Sequence, residues 1–267
     1  VSGVAGVRLR GAAGPNLVGA GWLFWRELRR YAKDAPETMA APAFSMLVYL
    51  AIFALALGPD RRTPEGEALL DFLIPGLVMF TVMFRAAETT GFSILFQKIE
   101  RTLSDVLGAP LSPGEVVGAF ALAGLVSGLA TGAVAAAVLL LLWTLPPAAP
   151  LAALSFAAGG ALMLSLFGML VGVWAEKWDH LAAAYAFVLL PFGFLSGVFA
   201  PVDAMPAWAA AAMRANPVYY AIDGFRGGVS GVWTEPPWLA AAVVWGTCAV
   251  LWACVDRMVR RGWRLKG

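Results

Sequence analysis

Six stretches of this chain run apolar for long enough to stand apart from the polar breaks between them: roughly 38–58, 69–92, 115–143, 151–174, 181–200 and 238–256. A helix needs ~20 apolar residues to cross ~30 Å of hydrocarbon, so the pattern predicts six transmembrane helices. Ahead of them, within 21–36, Trp22, Trp25 and Leu28 recur at helical spacing, with Arg26, Arg29, Arg30 and Lys33 largely elsewhere. That reads as an amphipathic helix lying in the membrane interface, or equally as a charged flank that fixes orientation. Between the second and third stretches, 96–113 carries Ile99, Leu103 and Leu107 four apart, interleaved with Glu100, Arg101 and Asp105. A short amphipathic helix is expected there, stopped by Gly108 and Pro110, before Ser112-Pro113 opens the next helix with Glu115 in its first turn.

Residues 191–228 break the pattern. This membrane-grade segment is interrupted by Pro201, Pro206 and Pro217 and carries Asp203, Arg214, Asp223 and Arg226. Lipid tolerates only backbone whose hydrogen bonds are satisfied, so the segment must be shielded by protein or face water. The expected path turns at Pro201, runs a short helix through Pro206–Arg214, turns again at Asn216-Pro217 and re-enters before the last span. Asp223 and Arg226, three apart, read as a local ion pair holding this loop. Arg85 and Glu88 are likewise three apart on the second span, as a structural pair or as lining of a translocation path. Gly124, Gly128 and Gly132, then Gly168 and Gly172, then Gly193 and Gly197 repeat at intervals of four, a spacing for close helix packing.

Composition agrees: 60% of the 267 residues are hydrophobic and 13% charged. Mean hydropathy is +0.76, which excludes an ordinary soluble domain. A net charge of +2 gives no reason to expect nucleic acid. With both termini placed inside, fourteen Lys and Arg fall inside and only Arg61, Arg62, Arg214 and Arg226 outside, so cytoplasmic termini are expected. The first 36 residues show no apolar core followed by a small-residue cleavage site. Cys248 and Cys254, six apart, suggest neither a disulfide framework nor a metal site. An intramembrane enzyme lacks its parts. His180 is the only histidine, and a helix would hold it ~24 Å from Ser196. No P-loop motif is present, so ATP must be bound by another polypeptide.

Two motifs then converge. Lys98-Ile99-Glu100-Arg101-Thr102-Leu103 and Leu107-Gly108-Ala109-Pro110-Leu111-Ser112 resemble the cytoplasmic loop of type-2 ABC exporter (ABC-2) permeases. Asn216-Pro217 through Tyr220, Ile222 and Arg226 resembles that family's N-P-x-x-Y-x-I-x-x-x-R element before the last span. Phe194–Phe199 and Met205-Pro206 resemble its run-in. The likeness covers nearly the whole chain as one domain, 1–267, and is nearest to bacterial drug-efflux-like permeases, with nodulation lipo-oligosaccharide and O-antigen or teichoic-acid exporters as relatives. The resemblance implies an all-α integral membrane protein of the bacterial inner membrane. Its parts would be an N-terminal interfacial helix, six spans, a coupling helix between spans 2 and 3, and a re-entrant hairpin at 201–228. It also implies the function: an exporter permease moving an amphipathic or lipid-linked substrate, where a six-span enzyme or channel uncoupled from ATP is the alternative. Two permease copies would pair with two ATPase subunits that bind ATP and Mg, leaving no cofactor in this chain. The first, second and fifth spans would meet their symmetry mates. Ile99, Glu100, Arg101, Leu103, Leu107, Ala109, Pro110 and Leu111 would dock on the ATPase, while Phe199, Pro201, Pro206, Asn216, Pro217, Tyr220, Asp223 and Arg226 would form an external gate.

Overall fold

A computed structural model describes residues 14–33, 35–57, 68–140 and 147–264. Among them every regular element is helical. The order is α1 (Leu17–Lys33), α2 (Ala35–Leu57), α3 (Leu69–Ile99), α4 (Leu103–Gly108), α5 (Pro113–Leu140) and α6 (Pro150–Trp174). There follow α7 (Trp178–Ala184), a π turn (Tyr185–Leu189), α8 (Leu190–Phe194), a 3-10 turn (Val202–Ala204), α9 (Ala207–Ala215), α10 (Pro217–Ser230) and α11 (Pro237–Arg260). Among the described residues four helices, α3, α5, α6 and α11, are long and apolar enough to cross a membrane. The stretch expected at 38–58 falls on α2, whose apolar part is Met39–Ile52. The stretch at 181–200 is an interrupted helix. Pro191 has no N–H to offer the carbonyl four residues back, and the turn before it widens, with Leu190 N bonded to Tyr185 O. Arg61 and Arg62, counted outside by charge, lie outside the described residues.

α3 is the axis of the bundle: Leu73, Met79, Met83, Ala86, Ala87, Ile94 and Leu95 are all at most 1% exposed. Between apolar helices in lipid there is little hydrophobic drive, so close packing and interhelical hydrogen bonds must hold them. The glycine repeats supply the closeness. A Cβ on Gly128 would stand 2.5 Å from Val82 O, and one on Gly168 2.1 Å from Ala87 O. Thus the α5 and α6 glycines both serve α3, inside one copy of the chain. Hydroxyls stitch the same seams. Thr90 donates to Ser165 O at 2.7 Å, Ser165 to Ala121 O at 2.9 Å and Tyr185 to Ala87 O at 2.7 Å.

α1 lies along the bundle. Near its start Asn16 meets Glu115 and Pro110, and near its end the Tyr31 hydroxyl is 2.9 Å from that of Thr131. It therefore runs alongside α5 for roughly 24 Å, at 1.5 Å per residue. The outward face also differs from the sequence expectation. Trp22, Trp25, Arg26, Arg29 and Lys33 share the exposed side, while Leu23 and Glu27 face inward.

Candidate functional site

At the α4 end, the turn between α3 and α5 is built by a reversal. Arg101 sits at φ +59°, a left-handed backbone that non-glycine residues seldom adopt, and separates Ile99 at the end of α3 from Leu103 at the start of α4. The single apolar face expected from Ile99, Leu103 and Leu107 is split by this break. Leu103 and Val106 are buried at 2% and 4%, whereas Ile99 and Leu107 are exposed at 44% and 36%. Glu100, Arg101 and Pro110 are exposed with them, and Ala109 and Leu111 are half-buried.

The turn is firmly tied to the bundle. Lys98 Nζ donates to Val173 O at 2.7 Å and to Ala175 O at 2.5 Å, placing a cation on the carbonyl end of α6. Ser112 and Glu115 form a reciprocal cap at the start of α5: Glu115 N donates to Ser112 Oγ at 3.3 Å, and Ser112 N to Glu115 Oε2 at 2.6 Å. The same carboxylate accepts from Asn16 N. Asn16 Oδ1 caps α1 by accepting from Gly19 N at 3.0 Å, and its amide donates to Pro110 O at 3.1 Å. α1, the turn and the start of α5 form one hydrogen-bonded unit.

Glu27, which the sequence reading passed over among its basic neighbours, anchors α1 to α3. It is 4% exposed and accepts from Arg26 at 2.8 Å, Arg30 at 2.7 Å, Ser93 at 2.6 Å and Gln97 at 3.2 Å. Deeper along α3, Arg85 donates from Nε to the Tyr31 hydroxyl at 3.2 Å and from Nη1 to Glu88 at 3.3 Å, with its guanidinium 4.9 Å from the Tyr31 ring centre. Arg85 and Glu88 therefore do pair. They also face a cleft of about 390 Å³ between α1, α3 and Trp178, shared with Glu27, Arg30 and the rings of Phe92 and Phe96. Such a cleft offers acidic, basic and aromatic groups to an amphiphile.

At the opposite end, Asn216 joins α8 to α10. Its Oδ1 accepts from Val218 N at 3.0 Å, the N-cap of α10 ahead of Pro217. Its Nδ2 donates to Phe192 O at 2.7 Å and Leu195 O at 2.9 Å. Arg226, 5% exposed, donates from Nη2 to Gly197 O at 2.8 Å and from Nε to Phe72 O at 3.2 Å, and lies 3.7 Å over the Phe72 ring. Gly197 has φ +74°, so the turn that receives Arg226 depends on a glycine backbone. Asp223 Oδ2 accepts from Glu235 N at 3.1 Å and so holds the approach to α11; burial pushes its carboxyl above the usual aspartate range. Arg214 bridges Glu235 at 2.9 Å and Asp203 at 4.0 Å. Tyr220 is buried against Tyr219, and Phe199 stacks on Phe194. Pro201 leads into the 3-10 turn and Pro206 precedes α9. Ser196 and His180, weighed from the sequence as a dyad, have separate partners in Gly193 O and Glu176 N.

Comparison with known proteins bears on this arrangement. The ABC-2 type transporter family matches residues 20–229, from α1 through α10. The inner membrane transport permease YadH of Escherichia coli K12 is 27% identical over 78% of this chain and 81% of its own length. Nodulation protein J of Rhizobium leguminosarum bv. trifolii is 32% identical over 73% of this chain and 75% of its own.

Proposed function

The chain belongs to the ABC-2 type transporter family, the membrane subunits of ABC transporters, and from that premise we propose that it is an exporter permease driven by a separate ATPase. In this reading the chain crosses the inner membrane six times with both termini in the cytoplasm, α2 and the α7–α8 segment supplying the two further crossings. Two copies pair with two ATPase subunits, which bind ATP and Mg. The α3–α5 turn docks on the ATPase through Ile99, Glu100, Arg101, Leu107 and Pro110, and α9–α10 closes the far side.

One observation carries the reading. The turn presents Ile99 and Leu107 outward while Lys98, Leu103 and Glu115 lock it to α6, to the core and to α1. A push on such a turn is delivered to three helices together, which is what a partner's differential binding needs in order to bias two arrangements of the bundle. The cleft around Arg85 and Glu88 supports an amphipathic substrate, a drug, lipid or lipid-linked saccharide, entering from the inner leaflet.

The test is stimulation of the reconstituted partner ATPase. Glu100→Arg and Leu107→Asp are expected to leave insertion intact, since both side chains are on the exposed side of the turn, and to abolish stimulation by changing the surface offered to the ATPase. Normal stimulation in both would remove the coupling role from this turn.

A further inference from the structure

Glu88, Phe92 and Phe96 stand four apart on α3 and so form one stripe, about 12 Å long at 1.5 Å per residue. All three line the cleft of about 390 Å³ beside α1, and Trp178 of α7 joins them with its ring centre 5.6 Å from that of Phe92. Phe92, Phe96 and Trp178 are exposed, three apolar rings in a cleft whose other lining groups are polar or charged. Among the described residues four charged side chains reach this cleft, and three of them are already engaged. Glu27 is enclosed by its donors, Arg30 lies on Glu27 at 2.7 Å, and Arg85 turns its Nε to the Tyr31 hydroxyl and its guanidinium to the Tyr31 ring. Glu88 meets only Arg85 among them, at 3.3 Å, and its side chain is 30% exposed.

We propose that this slot binds an organic cation, an amine or quaternary onium with an apolar or aromatic body, its charge between Glu88 and the rings of Phe92 and Trp178 and its body along Phe96. Exposed rings attract a cation through the negative charge of their faces and offer an anion nothing comparable. The sign of the ligand follows. An anion in the same slot would stand against the Glu88 carboxylate, while the two arginines that could hold it are drawn toward Glu27 and Tyr31. A cation finds a carboxylate with a single partner, and its apolar body covers rings that water leaves bare. Size then decides among amphiphiles. About 390 Å³ lies near the lower end of the ~300–1,000 Å³ of pockets for drug-sized ligands, so one compact cation fits and a multi-sugar headgroup does not.

The site takes its part in transport from the exporter reading and rests on it for the direction of movement. Binding, however, is measured on the permease alone. Failure of the slot therefore leaves ATPase stimulation untouched, and failure of the exporter reading leaves cation binding in place. The purified full chain in neutral detergent is dialysed to equilibrium against tetraphenylphosphonium and, separately, against tetraphenylborate, an ion of the same shape and opposite charge, with protein-free micelles as the blank. Tetraphenylphosphonium is expected to be held about tenfold more tightly. Glu88→Gln should weaken it about tenfold without weakening tetraphenylborate. Phe92→Leu, which keeps the Glu88–Arg85 pair and an apolar side chain, should weaken it about fivefold, whereas Phe92→Trp should retain it. Equal retention of the two ions by the wild type overturns the proposal, as does wild-type tetraphenylphosphonium binding in either Glu88→Gln or Phe92→Leu. Preference for tetraphenylborate would assign the cleft to an anion held by Arg30 and Arg85 and overturn it too.

Discussion

At position 216 one amide is bonded on three sides, to Val218 N, Phe192 O and Leu195 O. An Asn before Pro is legible in a sequence as the start of a helix, since both are suited to those positions. The two donations to α8 are not legible, because they join residues more than 20 apart through a turn that no local pattern specifies. Asn216→Ala removes the cap and leaves two carbonyls short of a donor, at a cost of about 3 kcal/mol. Thermal unfolding in detergent reads this as a lowered midpoint. Asn216→Asp keeps the acceptor but points a carboxylate at two carbonyl oxygens, so its midpoint should fall at least as far. An unchanged midpoint in both would contradict the double cap. Arg226 teaches the same lesson: the sequence offers Asp223 three residues away, and the fold adds the carbonyls of Phe72 and Gly197 on other elements as acceptors for its guanidinium.

Among elements, α1 and α4 depart furthest from what periodicity suggests. Helical spacing put the tryptophans of α1 on one face and its cations elsewhere, but the choice of inward face is made by Glu27, a single acid that finds Ser93 and Gln97 on α3. One acid between Arg26 and Arg30 was the available signal, and its neighbours read as the polar side of an interfacial helix or a charged flank that fixes orientation. Replacing Glu27 with Ala leaves Ser93 and Gln97 without their shared acceptor and is expected to cost about 2 kcal/mol, loosening α1 from α3. Limited trypsin digestion should then cut within Arg26–Lys33 while the rest of the bundle survives; wild-type resistance would show that α1 is held some other way. In α4 the spacing of Ile99, Leu103 and Leu107 assumed an unbroken helix, and the reversal at Arg101 divides it.

For the whole molecule, the α5 and α6 glycines serve the packing of one copy around α3. The remaining large apolar surface includes Phe44 and Tyr49 on α2, Phe187 in the π turn, and Phe192 and Phe194 on α8. If two copies meet there, Phe187→Cys in a background lacking Cys248 and Cys254 should cross-link to twice the monomer mass on mild oxidation, since a disulfide requires Cα atoms within ~7 Å. Leu151→Cys, 83% exposed on α6, should stay monomeric. Cross-linking at Leu151 but not at Phe187 would place the contact elsewhere.

The sequence by itself determined the class of this protein, its long apolar helices, the breaks between them and its family likeness. Those features follow from local chemistry: apolar runs of membrane length, prolines without N–H groups, and motifs contiguous in the chain. Only the tertiary structure decided which faces turn inward, that α3 is the axis, and where Glu27, Lys98, Asn216 and Arg226 find their partners. Each of those partners lies on another element, and a buried polar group is satisfied by whatever the fold brings within about 3 Å, whatever its distance along the chain.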